Sequence, residues 1–304
     1  MGCTKPLVRF KDGRIITLQR YLISGKPGTI EIPFGPSLEF DSYEKKLLRN
    51  LKTDNAQLIP CGKCIGCKLA NSSSWANRME MELPYHKNAW FLTLTYDEEN
   101  VPHKYTWDNE TGELLTENLS LDYTHMQKFW KKVRRYTEHH GITIMEPDPD
   151  DPEKMIPGMR YFQAGEYGGK THRPHYHAIV YDLPIDEKDL KIYKQKGGYT
   201  YYNVDWITKI WGMGHVVIAN AEWKNMAYTA RYTTKKVYGK EAKEYYETLG
   251  IEPEKCKMSL KPAIGYAYYN EHCVKIYKDD SIQLKNGKKA KPPRYFDKLF
   301  DLEH

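Results

Sequence analysis

The chain has 304 residues, of which 40% are hydrophobic and 28% charged, a balance expected of a globular protein with one large or two modest domains rather than a disordered one. It has no run of 18 apolar residues to span a membrane, and residues 1–14 lack an apolar segment of signal-peptide length, so a cytoplasmic protein is expected. A net charge of +6 permits nucleic-acid binding without requiring it.

Residues 1–70 read as an irregular, Gly- and Pro-containing arm that ends in Cys61-x-x-Cys64-x-x-Cys67. Cysteines clustered at this spacing in a cytosolic chain point to a metal site before a disulfide. Tetrahedral zinc needs a fourth ligand, for which Cys3, His103, Cys256 and Cys273 are candidates. An iron–sulfur cluster is the rival, but its C-x₂-C-x₂-C run continues x₃-C-P, whereas Asn71 and Ser72 stand at the last two of those positions.

Ser72, Ser73 and Ser74 offer N-caps for a helix that Pro84 stops. Trp90-Phe-Leu-Thr-Leu-Thr-Tyr96 is aromatic and β-branched and predicts a buried strand, and Asp108-Asn-Glu-Thr-Gly112 predicts a turn. Met126, Phe129, Trp130, Val133 and Tyr136 recur at helical spacing, which predicts an amphipathic helix over 122–139. Its other face carries Lys128, Lys131, Lys132, Arg134 and Arg135, either a solvated face or a phosphate-facing stripe. An acidic, Pro-rich surface loop is expected at 146–153, then strands at 159–166 and 175–181. A short helix over 205–211 and a strand over 215–218 follow. A long helix is expected over 223–238, stopped by Gly239, before a basic and aromatic tail.

Within the second of the paired strands, His175 and His177 are two apart and share one face, a ready pair of metal ligands. If the strands pair through the loop 167–174, Glu166 falls beside them. Two nitrogens and a carboxylate oxygen suit Mn²⁺ or Mg²⁺ with positions left open for a phosphate. Tyr228 and Tyr232 are four apart on the long helix and share a face, with Lys235 and Lys236 one turn further on. A phenol of ordinary acidity is ionised to about one part in a thousand at pH 7. The phenolate therefore costs roughly 4 kcal/mol, which nearby cations and a metal-bound phosphate can offset. Ala164-Gly-Glu-Tyr-Gly-Gly169-Lys170-Thr171 matches a relaxed phosphate-loop pattern, but Pro174 and a β-branched strand follow where that loop must open a helix.

Five segments together resemble the HUH endonuclease superfamily, in particular the replication initiation proteins of gokushovirus-type microviruses. They are Cys61-Gly-Lys-Cys64-Ile-Gly-Cys67; Phe91-Leu-Thr-Leu-Thr-Tyr96; Gly165-Glu166-Tyr167-Gly168 with Arg173-Pro174-His175-Tyr176-His177; Tyr228-x-x-x-Tyr232 with Lys235 and Lys236; and Pro292-Pro-Arg-Tyr-Phe-Asp-Lys298. The resemblance implies an α+β HUH nuclease fold with a central antiparallel sheet flanked by helices and an irregular Cys-rich N-terminal arm. The domains implied are the arm at 1–70 with a structural zinc site, the endonuclease core at 71–245, and a basic and aromatic extension at 246–304.

It also implies the activity, rolling-circle initiation. His175, His177 and Glu166 would hold Mn²⁺ or Mg²⁺, with Glu166 preferred over His172 because the family places a carboxylate there. Tyr228 and Tyr232, assisted by Lys235 and Lys236, would cut single-stranded origin DNA in turn, leaving a 5′-phosphotyrosine and a free 3′-hydroxyl. Cys3 becomes the expected fourth ligand to Zn²⁺, since the family carries an N-terminal cysteine. Arg231, Arg173, Lys132 and Arg135 are candidate DNA contacts, a host helicase and polymerase are implied partners, and the setting is the cytoplasm of a bacterial host cell. One departure is Leu260, where the family leads one to expect a basic residue. Two alternatives share part of this pattern: a transposase-like strand transferase of the same superfamily, and a non-catalytic zinc-containing DNA-binding protein.

Overall fold

In the computed structural model, described over residues 3–23, 47, 51–235, 240–285, 287 and 289–303, the chain divides into two units, Met1–Asn71 and Ser72–His304. The first is more regular than its Gly and Pro content suggests. Strands β1 (Leu7–Phe10), β2 (Ile15–Thr17) and β3 (Ala56–Ile59) form an antiparallel sheet in the order β2-β1-β3. Val8 and Phe10 share a face of β1 and are buried with Tyr21 of α1 (Leu18–Ile23), Leu47 and Leu51. The irregular arm expected from the sequence is thus corrected: the period-two apolar pair of β1 finds its partners in Tyr21, Leu47 and Leu51, further along the chain. The helix expected to start at the serine triplet, α2 (Ile65–Glu82), begins inside the cysteine spacing, and a 3₁₀ turn at Leu83–Tyr85 containing Pro84 follows it.

The second unit is built on seven strands: β4 (Ala89–Thr95), β9 (Arg160–Tyr167), β10 (Pro174–Tyr181), β11 (Lys191–Lys196), β12 (Tyr199–Asn203), β13 (Val216–Asn220) and β14 (Cys256–Met258). Their order is β11-β12-β13-β4-β10-β9-β14, with every neighbouring pair antiparallel. Two hairpins, β5 (His103–Trp107) with β6 (Leu114–Leu119) and β7 (Met145–Asp148) with β8 (Asp151–Pro157), stand outside this sheet. The turn of the first is fixed by Asp108, whose carboxylate accepts from the backbone N–H groups of Glu110 and Thr111 at 2.7 and 2.8 Å. The second replaces the acidic loop expected at 146–153.

Helix α3 (Tyr123–His139) starts where Asp122 caps it, accepting from the Thr124 N–H at 2.8 Å, and it buries Met126, Phe129, Trp130 and Val133 on one face of the sheet. Each of these side chains contributes about 1.5–3 kcal/mol of burial. That face is made by Leu92 and Leu94 of β4, Tyr176, Ala178 and Val180 of β10, and Val216 and Ile218 of β13, with Trp211 of α4 (Asp205–Trp211) among them.

The opposite face presents Phe162, Ile179 and Tyr181 to Ala76 and Met79 of α2 and to Met226 and Ala230 of α5 (Trp223–Lys235). Helix α6 (Lys240–Leu249) follows. The last residues, read from sequence as an extension, supply edge strand β14, helices α7 (Tyr266–Asp279) and α8 (Arg294–Glu303), and the short pair β15 (Ile282–Gln283) and β16 (Lys289–Ala290). Tyr269, Ile276 and Phe296 form a small core there with Met81. No described helix is long and apolar enough to cross a membrane.

Candidate active site

The pairing of β9 with β10 places His175 directly opposite Glu166 and His177 opposite Ala164. Directly opposed residues of an antiparallel pair point to the same face, and alternation brings His177 to it as well. This is the face covered by α5. Glu166 Oε2 lies 3.1 Å from His175 Nε2 and 3.4 Å from His177 Nε2, and the three ligand atoms all fall within 4.8 Å of one another. Adjacent ligands of an octahedral ion with bonds near 2.1 Å stand about 3.0 Å apart, so the spacing fits such an ion.

The outer nitrogens are held too. His175 Nδ1 donates to the Arg173 carbonyl at 3.1 Å, and His177 Nδ1 sits 3.0 Å from Thr93 Oγ1 on the neighbouring strand β4. A ring protonated on Nδ1 presents a lone pair at Nε2, and for His175 that lone pair faces a carboxylate oxygen, which also only accepts. A cation, or a second ring proton, reconciles the two acceptors. Glu166 and His177 are buried, 4% and 5% exposed, while His175 is half-buried and opens the set to solvent. Gly165, beside Glu166, points to the other face, where a Cβ would meet the Tyr123 hydroxyl at 2.6 Å. His172 is outside the set; its N–H closes the connecting turn onto the Gly168 carbonyl at 2.9 Å. The strand after that turn begins at Pro174, so no helix opens there to serve a phosphate loop.

Helix α5 lies against β9 and β10 because Met226 and Ala230, four apart, bury one face. Tyr228 falls beside that face. The residue is 42% exposed, and its ring meets the His177 ring edge-on at 5.2 Å and stands 6.4 Å from Phe91, which stacks on His177 at 5.4 Å. Tyr232 and Lys235 belong to the helical backbone one and two turns further on, but their side chains, and Lys236 entirely, lie outside the described residues.

Arg231 is exposed on the same helix. Arg173 is tied down, donating to Glu98 at 2.6 Å and to the Tyr96 carbonyl at 3.1 Å. Lys132 and Arg135 are exposed on α3, which covers the opposite face of the sheet, so the structure does not bring them to the histidine pair. Sequence reading missed Thr93 and Phe91, although alternation in Phe91-Leu-Thr-Leu-Thr95 was enough to put both on one face.

In the first unit Cys3 joins Cys61, Cys64 and Cys67, with all four sulfurs within 4.8 Å of one another. The Cys61–Cys67 and Cys64–Cys3 separations are 3.9 and 3.8 Å. Sulfurs around a tetrahedral ion with 2.3 Å bonds lie about 3.8 Å apart, far beyond a disulfide's bond length of about 2.05 Å. Backbone N–H groups of Cys61, Cys64 and Cys67 point at the sulfurs of Cys3, Cys61 and Cys64 at 3.4–3.5 Å. The Cys67 N–H and the Thr4 groups beside it hold the Cys64 thiol down to about 5, and the N–H groups of Cys64 and Lys63 lower that of Cys61. Burial pushes the Cys67 thiol up to about 12. Thiolates favoured at two of four positions suit a metal site.

A third group, not foreseen, gathers His86, Glu82, Glu146, Asp182 and Arg160 near the end of β10. His86 Nδ1 is 2.8 Å from Asp182 and 3.3 Å from Glu146, and Nε2 is 3.0 Å from Glu82. Burial alone would lower the imidazole pKa, but bonds to Asp182 and Glu82 and the charges of Glu82 and Glu146 raise it to about 9. Burial raises Glu146 to about 7 against the pull of Arg160 and His86. With two cations among three carboxylates, the group works as an ion-paired brace between α2, β7 and the end of β10.

Residues 89–237, from β4 past the end of α5, match the family model described as Replication-associated protein ORF2/G2P. The span contains Glu166, His175, His177, Tyr228 and Tyr232. The chain is 35% identical over 249 residues to the replication-associated protein ORF2 of Spiroplasma virus 4, covering 81% of this chain and 68% of that protein. It is 25% identical to the replication-associated protein VP4 of Bdellovibrio phage phiMH2K over 81% and 68% of the two chains. It is 30% identical to the replication-associated protein ORF4 of Chlamydia phage 1 over 79% and 53%. No solved structure matches.

Proposed function

The chain belongs to the family of replication-associated proteins ORF2/G2P, and from that premise we infer that it is an HUH-type endonuclease of the gokushovirus-type microvirus lineage that starts rolling-circle replication by nicking single-stranded origin DNA. The observation that carries this reading is the edge contact between the Tyr228 ring and His177, which sets a solvent-reachable phenol beside the Glu166–His175–His177 set. Mn²⁺ or Mg²⁺ held by those three residues would supply charge to polarise the scissile phosphate. The chain's own groups do the rest. Thr93 and the Arg173 carbonyl fix the two imidazoles, the β9–β10 pairing fixes Glu166, and α5 brings the nucleophile over the sheet.

The Tyr228 oxygen attacks phosphorus and loses its proton to solvent. The bond from phosphorus to the 3′ oxygen breaks, and that oxygen takes up a proton to become a free 3′-hydroxyl. Tyr232, one turn along, cuts the regenerated origin in the same way. The 3′-hydroxyl so freed attacks the phosphorus held by Tyr228, the bond from phosphorus to the tyrosine oxygen breaks, and the proton passes to the released phenol as the circle closes, with Lys235 and Lys236 stabilising the phenolates. A host helicase unwinds the duplex and a host polymerase extends the 3′-hydroxyl in the cytoplasm of the bacterial cell. Cys3, Cys61, Cys64 and Cys67 hold a structural Zn²⁺ that ties the first unit together.

The test is cleavage of end-labelled single-stranded oligonucleotides tiling the encoding replicon, with Mn²⁺ or with EDTA. Metal-dependent cutting at one locus, abolished by His175→Ala with His177→Ala, is expected. DNA binding with no cutting under any divalent ion would overturn the nuclease reading in favour of a zinc-containing DNA-binding protein.

A further inference from the structure

Tyrosine and lysine crowd the edge of the sheet farthest from β14. Lys191-Ile-Tyr-Lys-Gln-Lys196-Gly-Gly-Tyr199-Thr-Tyr-Tyr-Asn203 contains lysines 191, 194 and 196 and tyrosines 193, 199, 201 and 202, with no acidic residue. Gly197 and Gly198, both at positive φ (62° and 81°), make the two-residue turn that closes β11 onto β12. Lysines on an edge strand ordinarily guard against edge-to-edge pairing, and stacked tyrosines ordinarily pack a surface. What sets this hairpin apart is the face it uses.

Tyr202 pairs with Ile218, which lies on the α3 side. Alternation therefore turns Tyr199 and Tyr201 to the other side, the side of His175, His177 and Glu166. Lys194 and Lys196 stand opposite Tyr201 and Tyr199 and share that side. Lys224, on the first turn of α5, confirms the placement, with its Nζ 5.9 Å above the Tyr199 ring. Lys194 Nζ sits 5.1 Å above Tyr201 and 5.3 Å above Tyr193, and the Tyr199 and Tyr201 rings are 6.5 Å apart. Lys224 and Tyr228 are four apart on α5, about 6 Å along its axis, and Tyr228 touches His177. Rings and ammonium groups thus line the surface from the sheet edge to Lys224, one helical turn before the tyrosine that meets the metal-ligand set.

We propose that this ladder, Tyr199, Tyr201, Lys194, Lys196 and Lys224, is the track on which single-stranded DNA lies to one side of the scissile phosphate. Sequence-tolerant binding of single strands combines aromatic faces for the bases with cations for the backbone, and the ladder supplies both on one surface. The proposal rests on reading the Glu166–His175–His177 set as the place of cutting. From β12 to β10 is three strand spacings, about 14 Å. At about 3.4 Å per stacked nucleotide the ladder engages the strand roughly four nucleotides from the cut. The basic face of α3, on the far side of the sheet, is not part of the track.

Binding to a fluorescent dT20 oligonucleotide without added Mn²⁺ or Mg²⁺, where nothing is cut, tests this apart from catalysis. Tyr199→Ala combined with Tyr201→Ala is expected to weaken binding by roughly tenfold or more per ring lost, in a variant that still unfolds cooperatively well above the assay temperature. Lys194→Ala is expected to reduce the salt slope of binding by about 0.7, while Lys132→Ala with Arg135→Ala leaves affinity at the wild-type level. Equal affinity of the wild type and the double tyrosine variant, both folded, overturns the track, and so does a loss of affinity confined to the α3 variant. A wild type that binds through the ladder but never cuts would instead fail the nuclease reading and leave the binding surface standing.

Discussion

Replacing His86 with glutamine removes the imidazolium that Asp182, Glu146 and Glu82 share at 2.8, 3.3 and 3.0 Å. The ring is buried, and its pKa in the folded chain stands at about 9 against an ordinary 6.5, so the fold binds its proton more tightly than the unfolded chain does. Its contribution to stability is therefore complete below pH 6.5 and is lost as the pH rises through 9. At 1.36 kcal/mol per pH unit that contribution is on the order of 3 kcal/mol. For a unit of this size it corresponds to a difference of about 6–12 °C in melting temperature.

Glu146, raised to about 7 by burial, acts in the same direction at lower pH, its contribution falling between its ordinary 4.5 and 7. The wild type and His86→Gln should be compared by thermal unfolding at pH 6 and at pH 10. The variant is expected to melt well below the wild type at pH 6, with most of the gap closed at pH 10. A gap of equal size at both values would refute the idea that the protonated ring holds the brace together.

Gly165→Ala drives a Cβ to within 2.6 Å of the Tyr123 hydroxyl and about 3.0 Å of Leu121, which should cost about 1–3 kcal/mol in chemical denaturation; an unchanged midpoint would show that β9 yields freely there. Glu166→Gln keeps the shape of the ligand set but removes its charge, so calorimetric Mn²⁺ titration should show at least a tenfold weaker site; affinity equal to the wild type would exclude the carboxylate as a ligand. Metal analysis should find zinc bound to the purified wild type and absent from a Cys61→Ser, Cys64→Ser variant, with a chelator melting the first unit selectively; a wild type free of zinc and insensitive to the chelator would count against the structural site.

The histidine pair was legible because alternation along one strand is a local property, and Glu166 because a short loop leaves two neighbouring strands little choice but to pair. Helix α3 was legible for the same reason, its apolar stripe and Asp122 cap lying within one stretch of chain. Long-range partners were not. Asp182 and Glu146 are distant in sequence from His86, and their convergence depends on how the ends of α2, β7 and β10 pack. The strands of the first unit were obscured because Val8 and Phe10 form a pattern too short to stand out against the surrounding Gly and Pro. The β11–β12 hairpin carried an evident signal, a Gly-Gly turn between lysine- and tyrosine-bearing strands, yet the face it would use could be read only from its register with β13. Lys132 and Arg135 show the converse: a basic stripe is visible in sequence, but not the side of the sheet on which it falls.

The proposed reaction leaves a tyrosine of α5 covalently joined to DNA. The most direct test is to incubate the protein with single-stranded origin DNA and Mn²⁺, digest with trypsin and nuclease, and identify the modified peptide by mass spectrometry. A 5′-phosphotyrosine is expected on the peptide carrying Tyr228 or Tyr232, lost only when both are replaced by phenylalanine. A DNA adduct on any other residue, or cleavage by wild type with no adduct at all, would contradict this reaction.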